Sequence, residues 1–198
     1  GSTGVGRKLM RQCAEHIQKI SLELGGNAPF IVFDDADIER AVEGAMVCKF
    51  RNTGQTCVCA NRFLVQRGVH DAFVERLAKA MGELKLGDGF AEGVTQSALI
   101  NRAAVEKVCT HYRDALDKGA RHVSGTAPEG ARGNFVEPVL ITDVSRDMQL
   151  CQEETFGPLA AVISFDTEAE AIAIANDTPF GLAAYFYSRD IHRIWRVA

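Results

Sequence analysis

The sequence predicts an α/β domain in which a mainly parallel sheet is flanked by helices. Three observations carry that prediction. Short apolar runs, PFIVF at 29–33 and LAAVISF at 159–165, have the length and bulk of buried strands. Longer stretches with apolar residues every three to four positions read as amphipathic helices. The two patterns alternate along the chain, the order that helical crossovers impose on a parallel sheet.

In chain order, GSTGVG (1–6) is a glycine-rich turn and residues 6–15 read as a helix. IQKISLELGG (17–26) alternates apolar and polar residues and then meets a glycine pair, so it predicts a strand running into a turn. After the buried strand at 29–33, Asp37 caps a helix with Ile38, Ala41, Val42, Ala45 and Met46 inward, which stops near Asn52 and Gly54. RFLVQ (62–66) is a strand, and 70–84 is a helix burying Phe73, Leu77, Ala80, Met81 and Leu84. Residues 85–93 are a glycine-rich loop. The helix at 101–118 sets Val105, Val108, Cys109, Tyr112 and Leu116 at helical spacing. A short strand at 121–124 and a loop at 125–134 follow. Beyond the strand at 159–165, Thr167 and Glu170 form a capping box for the next helix. LAAYFYS (182–188) is a strand, and Asp190 starts a last helix. No internal repeat or low-complexity tract interrupts this order. Both ends are abrupt. No strand precedes the first turn, and Ile191, Ile194 and Trp195 are still in helical phase at the last residue, so the sequence reads as a piece of a longer chain.

Composition narrows the function classes. The 198 residues, 46% hydrophobic and 24% charged, suffice for one sizeable core. A net charge of −4 and the lack of a Lys/Arg stripe argue against a nucleic-acid partner. No apolar run reaches the ~18 residues of a membrane span, and no signal-peptide pattern opens the chain. The six cysteines are scattered through periodic segments, which suits reduced thiols and a cytoplasmic setting.

Four short strings carry chemistry-bearing residues. In NTGQTCVC (52–59), Cys57 stands among small polar residues after a helix and before a strand, away from any repeating apolar position. There it is either an accessible nucleophile or an inert small residue. Cys48 and Cys109, at inward helical positions, read as buried and inert. In LELGGNAP (22–29), Glu23 is placed at a strand's end between two leucines. It is either a general base whose apolar neighbours raise its pKa, or a turn-capping surface carboxylate. EETFGP (153–158) makes either a rigid ligand wall or a surface turn. GSTGVG suits a phosphate cradle but is weak alone.

Taken together these strings resemble the aldehyde dehydrogenase superfamily. LELGG resembles its glutamate motif, GQTC its nucleophile motif, EETFGP its E-x-F-G-P signature, and GSTGVG the end of its cofactor-binding fingerprint. The 34 residues from Glu23 to Cys57 and the 97 from Cys57 to Glu154 match family spacing. The resemblance covers essentially the whole chain. It implies that Cys57 adds to an aldehyde and that Glu23 activates the water that releases the product. It implies that Ser2, Leu24, Glu154 and Phe156 contact NAD or NADP, held mainly by an upstream domain, and that the Cys57 N–H with an upstream amide stabilises the oxyanion. It further implies a division into residues 1–22, the end of the dinucleotide-binding domain, and 23–198, a truncated catalytic domain of a homo-oligomer.

FRNTGQTCVCANR (50–62) resembles the succinate-semialdehyde dehydrogenase branch more closely. There the arginine six residues before the nucleophile, here Arg51, helps hold the substrate's far carboxylate, which a guanidinium can do bidentately. The expected substrate is therefore a small aldehyde carrying a carboxylate. Arg51 pairing only with an acid on its own helix is the plainer alternative. The resemblance also offers Cys59 as a redox partner for Cys57, although i,i+2 positions on a strand strain a disulfide. Two rival functions use the same residues: a cofactor-independent thiol hydrolase on Cys57 and Glu23, or a redox or metal module on Cys57-Val58-Cys59. The metal version lacks a second Cys or His pair at zinc spacing.

Overall fold

The computed structural model describes all residues, 1–198. Its centre is a six-stranded sheet in the order β3-β4-β5-β2-β1-β6, comprising β1 (Ala28–Val32), β2 (Ala60–Gln66), β3 (Arg121–Ser124), β4 (Val139–Thr142), β5 (Leu159–Phe165) and β6 (Tyr185–Tyr187). Every neighbouring pair is parallel except β3 with β4. The predicted fold class is therefore the observed one.

Alternation along the central strands supplies two cores. Phe30 and Val32 of β1, with Phe63 and Val65 of β2, point to the face covered by α2 (Ile38–Phe50) and α3 (Arg67–Met81). Ile31, Leu64, Ile141 and Ile163 point to the other face, covered by α4 (Arg102–Asp117), α5 (Gln149–Gln152) and α6 (Glu168–Asn176). Both faces of β1 and β2 are thus buried, which is why these strands read as apolar runs without alternation. Side-chain caps set the helix starts: Asp37 accepts from Arg40 N–H, Asn101 from Ala104 N–H, and Thr167 from Glu170 N–H. Glu170 reaches back to Asp166 N–H at 2.8 Å, so the capping box is present. No helix is long and apolar enough to cross a membrane.

Three expectations need correction. Residues 17–26 form no strand: Ile17 adopts φ 53° and is 92% exposed, and the segment pairs with no other strand. Its alternation is real, with Leu22 and Leu24 partly covered and Glu23 exposed, but no sheet edge lies beside it. β4 was not foreseen, because VLIT is four wholly buried residues with no period to read. The strand expected at 182–188 shrinks to Tyr185–Tyr187, since β1 offers pairing only from Phe30 to Val32. The opening helix, α1 (Thr3–Ala14), buries Gly6 alone, and α7 (Ile191–Val197) buries nothing completely.

Candidate active site

The three main motifs are the short segments leading into three adjacent strands. Gly26 precedes β1, Cys57 precedes β2 and Phe156 precedes β5, each within three residues. Because β5, β2 and β1 are neighbours and parallel, the motifs meet at the amino edge of the sheet. The expectation that Glu23 ends a strand at a carboxyl edge is therefore reversed: it stands before a strand, not after one.

Cys57 lies in a turn held from outside. Helix α2 ends at Phe50, and Asn52, Thr53 and Gly54 all take left-handed φ values of 52°, 56° and 76°. A β-branched residue resists that conformation, and buried Thr53 is fixed there by Ser97. Its Oγ1 accepts from Ser97 N–H at 3.1 Å and donates to Ser97 carbonyl at 3.3 Å. Gln55 Oε1 accepts from Ile100 N–H at 2.9 Å. Cys57 follows, half-buried in the turn, and its N–H has no protein acceptor.

The LELGG segment packs backbone to backbone on this turn. A β-carbon on Gly26 would overlap the Cys57 carbonyl, and one on Gly25 would stand 2.9 Å from Glu154 Oε2. Gly26 N–H donates to Glu154 Oε1 at 3.0 Å. Burial pushes the Glu154 carboxyl up from its ordinary value, and the Gly26 hydrogen bond opposes this. Asn27 anchors the next residue, its Nδ2 donating to Cys151 carbonyl at 3.1 Å while its Oδ1 accepts from Arg62 Nε at 3.1 Å. Arg62 is itself 1% exposed. Its guanidinium also donates to the Asn27, Ile174 and Ala175 carbonyls, closing the carboxyl end of α6 with a positive charge. Phe156 takes φ 55°, a strained conformation for an aromatic residue.

One open cleft of about 680 Å³ is lined by Ser2, Glu23, Leu24, Cys57, Glu154 and Phe156, the residues singled out in four separate strings. Glu23 is exposed at its rim rather than enclosed by leucines. Ser2 caps α1, its hydroxyl accepting from Val5 N–H at 3.3 Å. Arg51 and Cys59 are not among the lining residues. Arg51 is exposed beside the Cys57 turn and pairs with no acid, so the helix-internal ion pair is absent. Cys59 is buried, and its thiol donates to Lys49 carbonyl at 3.2 Å, away from solvent. All six cysteines are free. Burial pushes the Cys48 and Cys109 thiols up; Cys109 is buried as expected, whereas Cys48 is only half-buried. No group of three His, Cys, Asp or Glu side chains is placed to hold a metal ion.

Lys107 and Thr155 also line the cleft, and neither is marked as a site residue by the sequence. Lys107 sits between inward positions of α4, where periodicity alone assigns a lysine to solvent. Thr155 is 2% exposed inside EETFGP, and nothing in its type marks it.

The profile of the Aldehyde dehydrogenase family matches residues 1–198. A glutarate-semialdehyde dehydrogenase of Pseudomonas aeruginosa is 57% identical over all of this chain and 41% of its own length. The succinate-semialdehyde dehydrogenase [NADP(+)] GabD of Escherichia coli is 58% identical, with the same coverage of both chains. A crystal structure of an E. coli NADP dependent enzyme superposes with a TM-score of 0.97 at 59% identity, over all of this chain and 41% of that one. The chain thus spans about two fifths of the length of the relatives it matches.

Proposed function

Because the chain belongs to the aldehyde dehydrogenase family, we propose that it carries the reactive half of an enzyme that oxidises a small acidic aldehyde, with NAD or NADP as acceptor. The observation that carries this reading is the single cleft shared by Cys57, Glu23, Glu154 and Phe156. The thiolate of Cys57 adds to the aldehyde carbon, and the unpaired Cys57 N–H is free to donate to the oxygen that gains charge. Loss of hydride from the resulting thiohemiacetal leaves a thioester on Cys57. Glu23, exposed at the rim, has access to water and acts as the base that directs it onto the thioester carbonyl, releasing the acid and the thiolate.

The cleft suits a nicotinamide dinucleotide. It is open, it joins polar groups to an aromatic wall, and the half-buried Glu154 leaves Oε2 free of protein hydrogen bonds while Oε1 takes Gly26 N–H. Glu154 would accept from the nicotinamide ribose, Phe156 would pack beside it, Leu24 would touch the carboxamide and Ser2 the pyrophosphate. The bound nicotinamide supplies the hydride acceptor. Residues 1–22 belong, in this reading, to the dinucleotide-binding domain and 23–198 to the catalytic domain. The isolation of α1, which buries only Gly6, supports that division. The free thiols suit a reducing compartment such as the cytoplasm.

Arg51 sets the substrate class. The relatives named above act on glutarate or succinate semialdehyde, both aldehydes with a carboxylate at the far end. An exposed guanidinium without a protein partner, six residues before the nucleophile, supplies the matching charge. The test is a panel of charged and uncharged aldehydes on the complete protein with each cofactor, read by cofactor reduction. Preferential oxidation of semialdehydes is expected. Ester cleavage without cofactor reduction would replace this reading with the thiol hydrolase.

A further inference from the structure

We propose that His111 is a positioning residue for the cofactor side of the cleft: through Thr155 it pins the strained turn that carries Glu154 and Phe156. The proposal rests on the reading that those two residues contact the dinucleotide.

His111 lies on α4 and is 1% exposed. Its Nδ1 is 3.1 Å from Thr155 Oγ1, and its Nε2 is 3.5 Å from Glu153 Oε2. A carboxylate only accepts hydrogen bonds, so the ring proton belongs on Nε2, and Nδ1 accepts the Thr155 hydroxyl proton. The charged groups facing the ring are Lys107 and Asp114 from its own helix and Glu153 from the loop. Burial, aided by Lys107, lowers the ring's pKa against the pull of the two acids, which keeps the ring neutral at pH 7 as this tautomer requires.

Thr155 is flanked by the two cofactor-side residues. Phe156 follows at φ 55°, a conformation that persists only where its surroundings impose it. Glu154 precedes it and is tied to Gly26 N–H on the opposite wall. Helix α4 grips the same turn a second time, because Val108 Cγ2 occupies the space a side chain at Gly157 would need. Without the hydroxyl-to-imidazole bond, Thr155 loses its side-chain tie to α4 and only the Val108 contact at Gly157 remains, so Phe156 can relax toward an ordinary backbone basin and leave the cleft wall.

The test uses the complete protein and its variants His111→Leu, His111→Asn and Thr155→Val. Binding of NAD and of NADP is titrated directly, and ester cleavage at Cys57 without cofactor is followed in the histidine variants. His111→Leu and Thr155→Val should each weaken dinucleotide binding about tenfold, the effect of removing one buried hydrogen bond. Ester turnover by His111→Leu should stay at the wild-type level. His111→Asn, whose amide reaches the Nδ1 position, should recover most of the affinity. Thr155→Val keeps shape and volume, so it reads the bond even where a histidine variant folds poorly. Unchanged dinucleotide affinity in His111→Leu and Thr155→Val would overturn the proposal, as would equal loss of ester turnover, or an asparagine variant no better than leucine. A wild-type protein that binds neither dinucleotide would instead overturn the cofactor reading itself, and this proposal with it.

Discussion

Gly26 lies against the main-chain carbonyl of Cys57 so closely that a β-carbon on Gly26 would overlap the carbonyl oxygen. The contact is backbone on backbone, so no side chain can rotate away to relieve it. Gly26→Ala should therefore displace the Cys57 turn and destabilise the fold by about 1–3 kcal/mol, the cost of overpacking a dense site. Gly181→Ala is the control, since nothing lies within 4 Å of its added carbon. Denaturant unfolding of both variants checks this, and equal midpoints would show that the turn yields freely.

The proposed division of labour between Cys57 and Glu23 predicts that two half-reactions can be separated. Cys57→Ala in the complete protein should abolish both aldehyde oxidation and ester cleavage. Glu23→Gln should leave acylation intact and slow hydrolysis, giving a burst of reduced cofactor followed by a slow steady state. Rapid-mixing kinetics and intact mass, which detects the acyl-enzyme, make the measurement. A Cys57→Ala enzyme with about a tenth of wild-type turnover would remove the cysteine from the mechanism.

Arg51 has no protein partner to lose, so its replacement reads substrate contact directly. Arg51→Ala should raise KM for succinate or glutarate semialdehyde about tenfold or more, given ~1.5–3 kcal/mol for a charge-assisted hydrogen bond. Butanal should be affected far less. Parallel losses on both substrates would assign Arg51 to the shape of the turn instead.

Cys59 could capture an oxidised Cys57 only after leaving the Lys49 carbonyl that its thiol now faces. Peroxide converts the Cys57 thiolate to a sulfenic acid, and attack by the Cys59 thiol on that sulfur would form the disulfide and release water, the thiol proton leaving with the sulfenic hydroxyl. The expected outcome is inactivation by peroxide, recovery with dithiothreitol, and poorer recovery in Cys59→Ala through over-oxidation. Peptide mass spectrometry looks for the Cys57–Cys59 crosslink. Equal recovery in both proteins with no crosslink would leave Cys59 a buried core residue and nothing more.

What could be read in the sequence follows from the range of each interaction. Helices with local signals were legible: the caps at Asp37 and Thr167 and the inward faces of α2, α3 and α4 depend on residues within a turn or two. The cleft was legible because its motifs are compact strings. Long-range partnerships were not. Arg62 reads as one polar residue of a strand, yet it joins Asn27 to the end of α6, more than a hundred residues further along. The helical pattern at 101–118 does not single out His111, because its partner Thr155 lies 44 residues away. The alternation at 17–26 suggested a strand because periodicity reports two faces but not whether a neighbour exists to pair with.

The amino-edge placement of the three motifs makes the sheet a ruler for the chemistry. Gly26, Cys57 and Phe156 stand only two or three positions before the first residue of β1, β2 and β5. A strand advances ~3.3 Å per residue, so one residue inserted or deleted in any of these leaders would shift its motif by the length of a hydrogen bond and turn its side chains to the opposite face. Length changes are therefore costly there, as they are at the far end of β2, where Gln66 runs directly into α3 at Arg67. Side chains around the cleft can change by substitution, while the relative placement of Gly26, Cys57 and Phe156 is set by the hydrogen-bond ladder beneath them.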